Sequence, residues 1–173
     1  MADNGTILKW DGAAWLTQFS GTTEILLAVW GTGAENVWVV SDQGTILRWD
    51  GTSWSKQTSG TTAVLRGVWG AGASSVWAAG DGGTVLKWDG TKWLAQISGT
   101  TTALFSVWGI TNPVTLWAVG GGGTILKSNG TSWSSQTITP PTTTSLTGVW
   151  GSDASNIWAV GQDSTFVNWN GTA

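Results

Sequence analysis

GTVLKWDGTKW, the stretch from Gly83 to Trp93, decides the fold because it recurs along the whole chain. The other copies are GTILKWDGAAW at Gly5–Trp15, GTILRWDGTSW at Gly44–Trp54, GTILKSNGTSW at Gly123–Trp133 and a degenerate STFVNWNGT at Ser164–Thr172. Self-similarity at a fixed period indicates a repeat architecture, in which each copy is one supersecondary unit that cannot bury its apolar face alone.

Each repeat of about 40 residues contains four short segments that we interpret as β-strands. The first two are represented by Leu65–Gly70 and Val76–Gly80, and the third and fourth lie on either side of the Asp89-Gly90 pair. Val, Ile, Thr and Trp favour strands, and Asp-Gly or Asn-Gly pairs favour tight hairpins. No segment has the 3.6-residue period of an amphipathic helix. The sequence therefore predicts an all-β fold.

Four hairpin-linked strands in a repeat of this length are typical of a β-propeller blade. The chain resembles bacterial propellers with W-G, V-W-A-V-G, G-T-I-L and D-G-x-x-W repeats, and it is similar in look to Asp-box (BNR-type) propellers. The Asp-box pattern S/T-x-D-x-G-x-T-W is matched only in part, because Lys87–Trp93 is one residue shorter and lacks the leading hydroxyl residue. The resemblance covers residues 1–173 and implies a single β-propeller domain, or half-ring, of four-stranded antiparallel blades.

The phase of the repeat leaves both ends of the chain incomplete. If the first strand lies nearest the ring axis, as the resemblance implies, the chain begins with strands three and four and ends with strands one, two and three. It then supplies three complete blades, and the strands at its two ends bring the total to four blade equivalents. Because bare sheet edges are a liability, we expect the two ends to complete one blade by strand closure, with the degenerate copy at Thr165–Trp169 displaced.

Two ring sizes follow from that closure. Closure within one chain predicts a four-bladed monomer, and closure between two chains predicts an eight-bladed ring. Compact blades with Trp at their interfaces favour the larger ring, so we expect a homodimer with the common C2 symmetry.

Composition narrows the classes of function and partner. The formal charge of −3 leaves no basic surface for nucleic acid, and no apolar run approaches the ~20 residues of a membrane span. The N-terminus lacks the basic and apolar regions of a signal peptide. The 16 Trp residues occupy repeated positions, which predicts that most of them pack between blades. We therefore expect neither a nucleic-acid nor a membrane partner.

The sequence offers no catalytic constellation. It contains no His and no Cys, which removes the usual general base and all thiol chemistry. Sialidase-type propellers use a Tyr nucleophile and an Arg cluster, whereas this chain has no Tyr and only Arg48 and Arg66. Equivalent acids on successive blades lie too far apart for a glycosidase pair. We predict no catalytic residue, no metal, no cofactor, and a non-enzymatic scaffold for protein or self-interaction and ring assembly.

A multivalent carbohydrate-binding lectin is the alternative. One repeated Trp position is Ser128 in the fourth copy, which predicts that this position is not deeply buried, and an exposed indole beside Asp-Gly could stack on a sugar ring. A purely structural explanation is that these rings cover a blade edge or lie in a contact between subunits, and that the Asp residues shape turns. The candidate ligand-binding residues are Trp10, Asp11, Trp49, Asp50, Trp88, Asp89 and Trp169.

Overall fold

The strands of the chain form five separate antiparallel sheets in sequence order. The computed structural model describes residues 5–139 and 141–171, so Thr172, the last residue of the degenerate copy, lies outside the described residues. Every sheet is built from hairpins between consecutive strands. In sheets 1 to 4 an Asp-Gly or Asn-Gly turn joins the last two strands, as the sequence predicts.

The sheets are numbered 1 to 5 along the chain and have two, four, four, four and three strands. Sheet 1 contains β1 (Ile7–Trp10) and β2 (Trp15–Gln18). Sheet 2 contains β3 (Leu26–Gly33), β4 (Asn36–Ser41), β5 (Ile46–Trp49) and β6 (Trp54–Gln57). Sheet 3 contains β7 (Leu65–Gly72), β8 (Ser75–Gly80), β9 (Val85–Trp88) and β10 (Trp93–Gln96). Sheet 4 contains β11 (Leu104–Thr111), β12 (Val114–Gly120), β13 (Ile125–Ser128) and β14 (Trp133–Ser135). Sheet 5 contains β15 (Leu146–Asp153), β16 (Asn156–Gly161) and β17 (Phe166–Trp169).

The register between strands two and three is the same in every sheet that has both. In sheet 2, Trp38 pairs with Arg48 and Val39 pairs with Leu47. In sheet 5, Ala159 pairs with Val167. The degenerate strand β17 thus takes the strand-three position in this single chain, and sheets 1 and 5 remain separate. Closure of a blade between two chains stays a prediction.

The core lies between successive sheets. Trp38, Val40 and Ile46 of sheet 2 cluster with Val68 and Val76 of sheet 3. We call the side of a sheet turned toward the following sheet its forward face, and the other side its backward face. A second cluster joins the forward face of sheet 3 to the backward face of sheet 4, and a smaller one joins sheets 4 and 5. Both faces of a middle blade are therefore apolar, which explains why its strands read as near-continuous runs of Val, Ala and Trp.

Candidate functional site

Three of the four strand-two Trp residues are the most deeply buried of the repeated indoles. Trp38, Trp77 and Trp117 lie in equivalent positions on successive sheets and have at most 2% of their surface exposed. Their packing confirms the prediction that the repeated Trp residues mainly build the core. A buried indole removes a large apolar area from water, so these positions stabilise the stack of sheets and offer no surface to a ligand.

The strand-one Trp residues join each sheet to the next through a glycine. Trp30 packs on Gly70, Trp69 on Gly109 and Trp108 on Gly151. A Cβ atom at any of these glycines would lie 2.6–3.0 Å from the Cη2 atom of the indole. The close approach explains why Trp-Gly is repeated as a pair, since the glycine of one copy receives the Trp of the copy before it.

The predicted exposure of the candidate Trp position is wrong in the middle of the chain. Trp49 and Trp88 are buried, and Trp49 donates its indole N–H to the carbonyl of Ala34 at 2.9 Å. Ser128 is equally buried, because its small hydroxyl fits inside the sheet and accepts a hydrogen bond from the Gly130 N–H at 3.0 Å. A serine at this position thus marks a change of local packing, and does not mark an open site.

The same position differs at the two ends of the chain. Trp169 is half-buried and donates to the carbonyl of Ala154 at 3.2 Å. Trp10 is 50% exposed and lies against Trp15, with 5.7 Å between the ring centroids. The predicted exposed indole therefore exists at Trp10, where the described residues contain no preceding sheet.

The candidate Asp carboxylates shape the turns between strands three and four. The Oδ1 atom of Asp50 accepts hydrogen bonds from the backbone N–H groups of Thr52 and Ser53, each at 2.8 Å. The Ser53 N–H, followed by the hydroxyl and the N–H of Thr52, lowers the pKa of Asp50 to about 2. The Thr91 hydroxyl, followed by backbone N–H groups, lowers the pKa of Asp89 to about 2. At Asp11 the backbone N–H of Ala14 is the main cause of a lowered pKa.

Basic side chains on strand three connect neighbouring sheets through the candidate Trp rings. Lys9 Nζ lies 4.9 Å from the ring centroid of Trp49, and Lys127 Nζ lies 5.0 Å from that of Trp169. Arg48 makes the same contact with Trp88. Where the following sheet has Ser128 in place of Trp, Lys87 reaches further and donates to the Gly130 carbonyl at 2.8 Å. Sequence reasoning missed this cation–π role, although the regular Lys/Arg preceding the Trp was a visible signal.

The forward face of sheet 5 is uncovered. Trp150, Trp158, Val160 and Phe166 are 59%, 41%, 51% and 70% exposed. Their equivalents in sheet 3 are Trp69, Trp77, Ala79 and Val85, which are all buried against sheet 4. This face therefore has the same apolar character as the blade interfaces inside the chain, but no other sheet of the described residues covers it.

The backward face of sheet 2 is covered only on its outer half. Sheet 1 packs there, so that Leu47 and Trp49 are buried, whereas Val29 on the inner strand is 68% exposed. An open cleft of ≈ 230 Å³ lies beside the free edge of β1 and is lined by Thr6–Leu8, Leu26–Val29 and Val39. Gly31, which follows Trp30, is also exposed in this region, and its environment lacks the Trp contact found at Gly70.

A second cavity lies at the outer side of sheet 5. It has a volume of ≈ 180 Å³, and Trp117, Ile125, Ile138, Val167 and Trp169 are among the residues that line it. The cavity occupies the place where a fourth strand would complete sheet 5. In sheet 3 the corresponding place is filled by Trp93, which packs edge-on against Trp38 with 5.3 Å between the centroids.

Among the described residues, no group of three or more His, Cys, Asp and Glu side chains is placed to hold a metal ion. Residues 5–139 and 141–171 also contain no helix with the length and apolar character needed to cross a membrane. The Asp81 carboxylate pairs with Arg66, whose Nη2 lies 2.9 Å from Asp81 Oδ2.

The arrangement of sheets in this chain is similar to that in several solved structures. YCF48 bound to D1 peptide matches with a TM-score of 0.69 and 16% identity over 95% of this chain. YCF48 from Cyanidioschyzon merolae matches with a TM-score of 0.72 and 14% identity over 97% of this chain. A chain of the COPII outer coat vertex on membranes matches with a TM-score of 0.69 and 17% identity over 97% of this chain. The fold is that of a β-propeller, with four-stranded antiparallel blades.

The chain accounts for only part of the propellers it resembles. It spans 57%, 64% and 54% of the length of those three solved chains. No protein-family model matches the sequence, and no curated protein does. Because the sequence identities are 16%, 14% and 17%, these comparisons show a shared fold and nothing more.

Proposed function

We propose that this chain is a non-enzymatic binding scaffold that acts through protein contacts, and that it completes its propeller with a second copy of itself. The uncovered forward face of sheet 5 is the observation that carries the proposal, because four of its apolar positions are buried in the equivalent sheet 3. Apolar patches of this kind on a soluble protein mark interaction surfaces.

The comparisons support a role in protein contacts in general terms. One similar propeller is described as bound to a peptide, and another belongs to a coat assembled on membranes. The absence of His and Cys from the sequence and the use of Asp50 and Asp89 as turn acceptors support a role without catalysis.

The solution mass tests self-association directly. Light scattering on a size-exclusion column is expected to give twice the 18.0 kDa of one chain. Val160→Arg, on the uncovered face, is expected to return the mass to that of a single chain, because it places a charge in the contact. Ile97→Arg is the matched control, since Ile97 is an equally apolar, 92% exposed residue away from both terminal faces. A single-chain mass for the unchanged protein would refute self-association.

Carbohydrate binding is tested separately at the one candidate indole that is exposed, Trp10. A panel of common monosaccharides is expected to leave the Trp fluorescence unchanged, because Trp49 and Trp88 are buried. A saturable change that disappears in Trp10→Ala would support the lectin alternative.

A further inference from the structure

We propose that the β1–β2 hairpin of a second copy enters sheet 5, replaces β17 beside β16, and inserts Trp15 into the cavity at the outer side of that sheet. The inference rests on the proposed self-association and specifies the strands that exchange. A composite blade then consists of β15 and β16 from one copy and of β1 and β2 from its partner.

The hairpin is already placed as the outer half of a blade. Its Lys9 lies over Trp49 of the following sheet, as Arg48 lies over Trp88 inside the chain. A Cβ atom at Gly5 would clash with the Thr22 carbonyl oxygen, and one at Gly83 would clash with the Thr100 carbonyl oxygen, so the two glycines make equivalent contacts. What the hairpin lacks is the inner pair of strands, and the free edge of β1 faces the cleft where they would lie. An unpaired strand edge is a template for pairing with another chain.

The inner strands of sheet 5 fit that cleft. Placed beside β1, they would cover Val29 with their forward face, as the forward face of sheet 2 covers Val68. Trp150 would meet Gly31 of the partner copy, completing the Trp–Gly contact made by Trp30 with Gly70. Trp150 is the strand-one Trp without such a glycine in the described residues, and Gly31 is the corresponding glycine without a Trp.

The cavity beside sheet 5 fits the outer strand of the hairpin. Trp15 occupies the repeat position of Trp93, and Trp93 fills the corresponding place in sheet 3. Trp10 would take the place of Trp169, where Lys127 already lies over the ring. Trp10 and Trp15, both at least half exposed in the single chain, would thereby become buried.

The strand β17 is the weaker of the two competitors for the strand-three position. Asn168 stands where β1 has Lys9, and Phe166 is largely exposed. The turn that leads into β17 forces Asp163 and Ser164 to φ of 51° and 57°, where sheet 3 has Gly82 and Gly83. Left-handed backbone is costly for residues with a Cβ, so releasing β17 relieves strain that the glycine-containing copies avoid.

The register of the exchanged strands follows from the repeat. Val39 pairs with Leu47 and Ala78 with Leu86, so Ala159 is expected to pair with Leu8 of the second copy. In the single chain Ala159 pairs with Val167. Directly opposed residues on antiparallel strands lie within the Cα separation that a disulfide spans, and the chain has no native Cys to interfere.

The test uses two cysteine pairs in the full chain under mild oxidation. Leu8→Cys with Ala159→Cys is expected to give a covalent dimer on a non-reducing gel, and Ala159→Cys with Val167→Cys is expected to give no disulfide. Lys9→Cys with Ala159→Cys is the matched control, because residue 9 points to the opposite face of β1 and the dimer band should be lost.

Each contrary outcome is distinct. A 159–167 disulfide in a protein of doubled mass would overturn the strand exchange and leave self-association intact. An 8–159 disulfide within one chain would overturn the second copy as the source of the hairpin. A single-chain mass with no 8–159 disulfide would refute both the exchange and the self-association.

Discussion

Trp108 of sheet 4 packs on Gly151 of sheet 5 so closely that a Cβ atom at that glycine would lie 3.0 Å from the indole Cη2. The same contact joins Trp69 to Gly109 and Trp30 to Gly70, so the blades are locked together by a repeated ring-on-backbone contact. Trp150 of sheet 5 is the next member of the series, but it meets no such glycine among the described residues and is 59% exposed.

Trp69 and Trp150 occupy equivalent positions, and their truncation should have different consequences. Trp69→Ala is expected to lower the free energy of unfolding by ~3–5 kcal/mol, because it opens a cavity between sheets 3 and 4. Trp150→Ala is expected to leave the single chain folded and to shift the solution mass toward that of one chain. Urea denaturation and light scattering measure the two effects. Equal loss of folding stability in both variants, without a change in mass, would contradict the distinction.

Lys9 is expected to hold the N-terminal hairpin on sheet 2 through the Trp49 ring. Lys9→Met keeps much of the aliphatic stem and removes the cation, so the loss should be ~0.5–1 kcal/mol in the free energy of unfolding. Lys92→Met, in an exposed turn, is the control and should change little. If Lys9→Met matches the control, the cation–π contact contributes nothing measurable.

Two adjacent glycines in the turn between β8 and β9 allow the cost of a left-handed backbone to be measured separately from the cost of a steric clash. Gly82 and Gly83 both have positive φ, but a Cβ atom at Gly82 would meet nothing within 4 Å, whereas at Gly83 it would clash with the Thr100 carbonyl oxygen. Gly82→Ala should cost ~1–2 kcal/mol for the left-handed backbone alone. Gly83→Ala should cost clearly more, because backbone must move. Thermal unfolding of the two variants in parallel gives the comparison, and equal losses would argue against the steric effect.

The repeat made the sheets predictable and left the exposure of individual Trp residues unpredictable. The strand order, the hairpins and the incomplete ends follow from period and turn chemistry, and the four strands of sheet 3 begin within a residue or two of the predicted segments. The exposure of the Trp10 position could not be inferred from Ser128, because that serine is buried as well. Its hydroxyl accepts a hydrogen bond from the Gly130 N–H, and Lys87 of the preceding sheet donates to the Gly130 carbonyl.

The ends of the chain show a second limit of sequence reasoning. The consensus identifies β17 as the degenerate copy, yet in the single chain β17 pairs with β16, and β1 pairs only with β2 in a separate sheet. Which strand occupies a sheet depends on the strands available, and that depends on how many copies associate. The repeat pattern supplies the register for either arrangement, so only the partner of β16 has to be measured.

Acid is expected to weaken the fold through the turn carboxylates. Their folded pKa values of about 2 lie below the ordinary 3.8, so Asp50 and Asp89 contribute stability that is fully present above about pH 4 and is lost as the pH falls toward 2. The double variant Asp50→Asn, Asp89→Asn should lose less stability over this range. Its amides can still accept the turn N–H groups, as Asn129 does from Thr131 and Ser132 at 3.1 and 3.0 Å. Urea denaturation from about pH 5 to about pH 2 makes the comparison. Parallel curves for the parent and the double variant would mean that other carboxylates control the acid response.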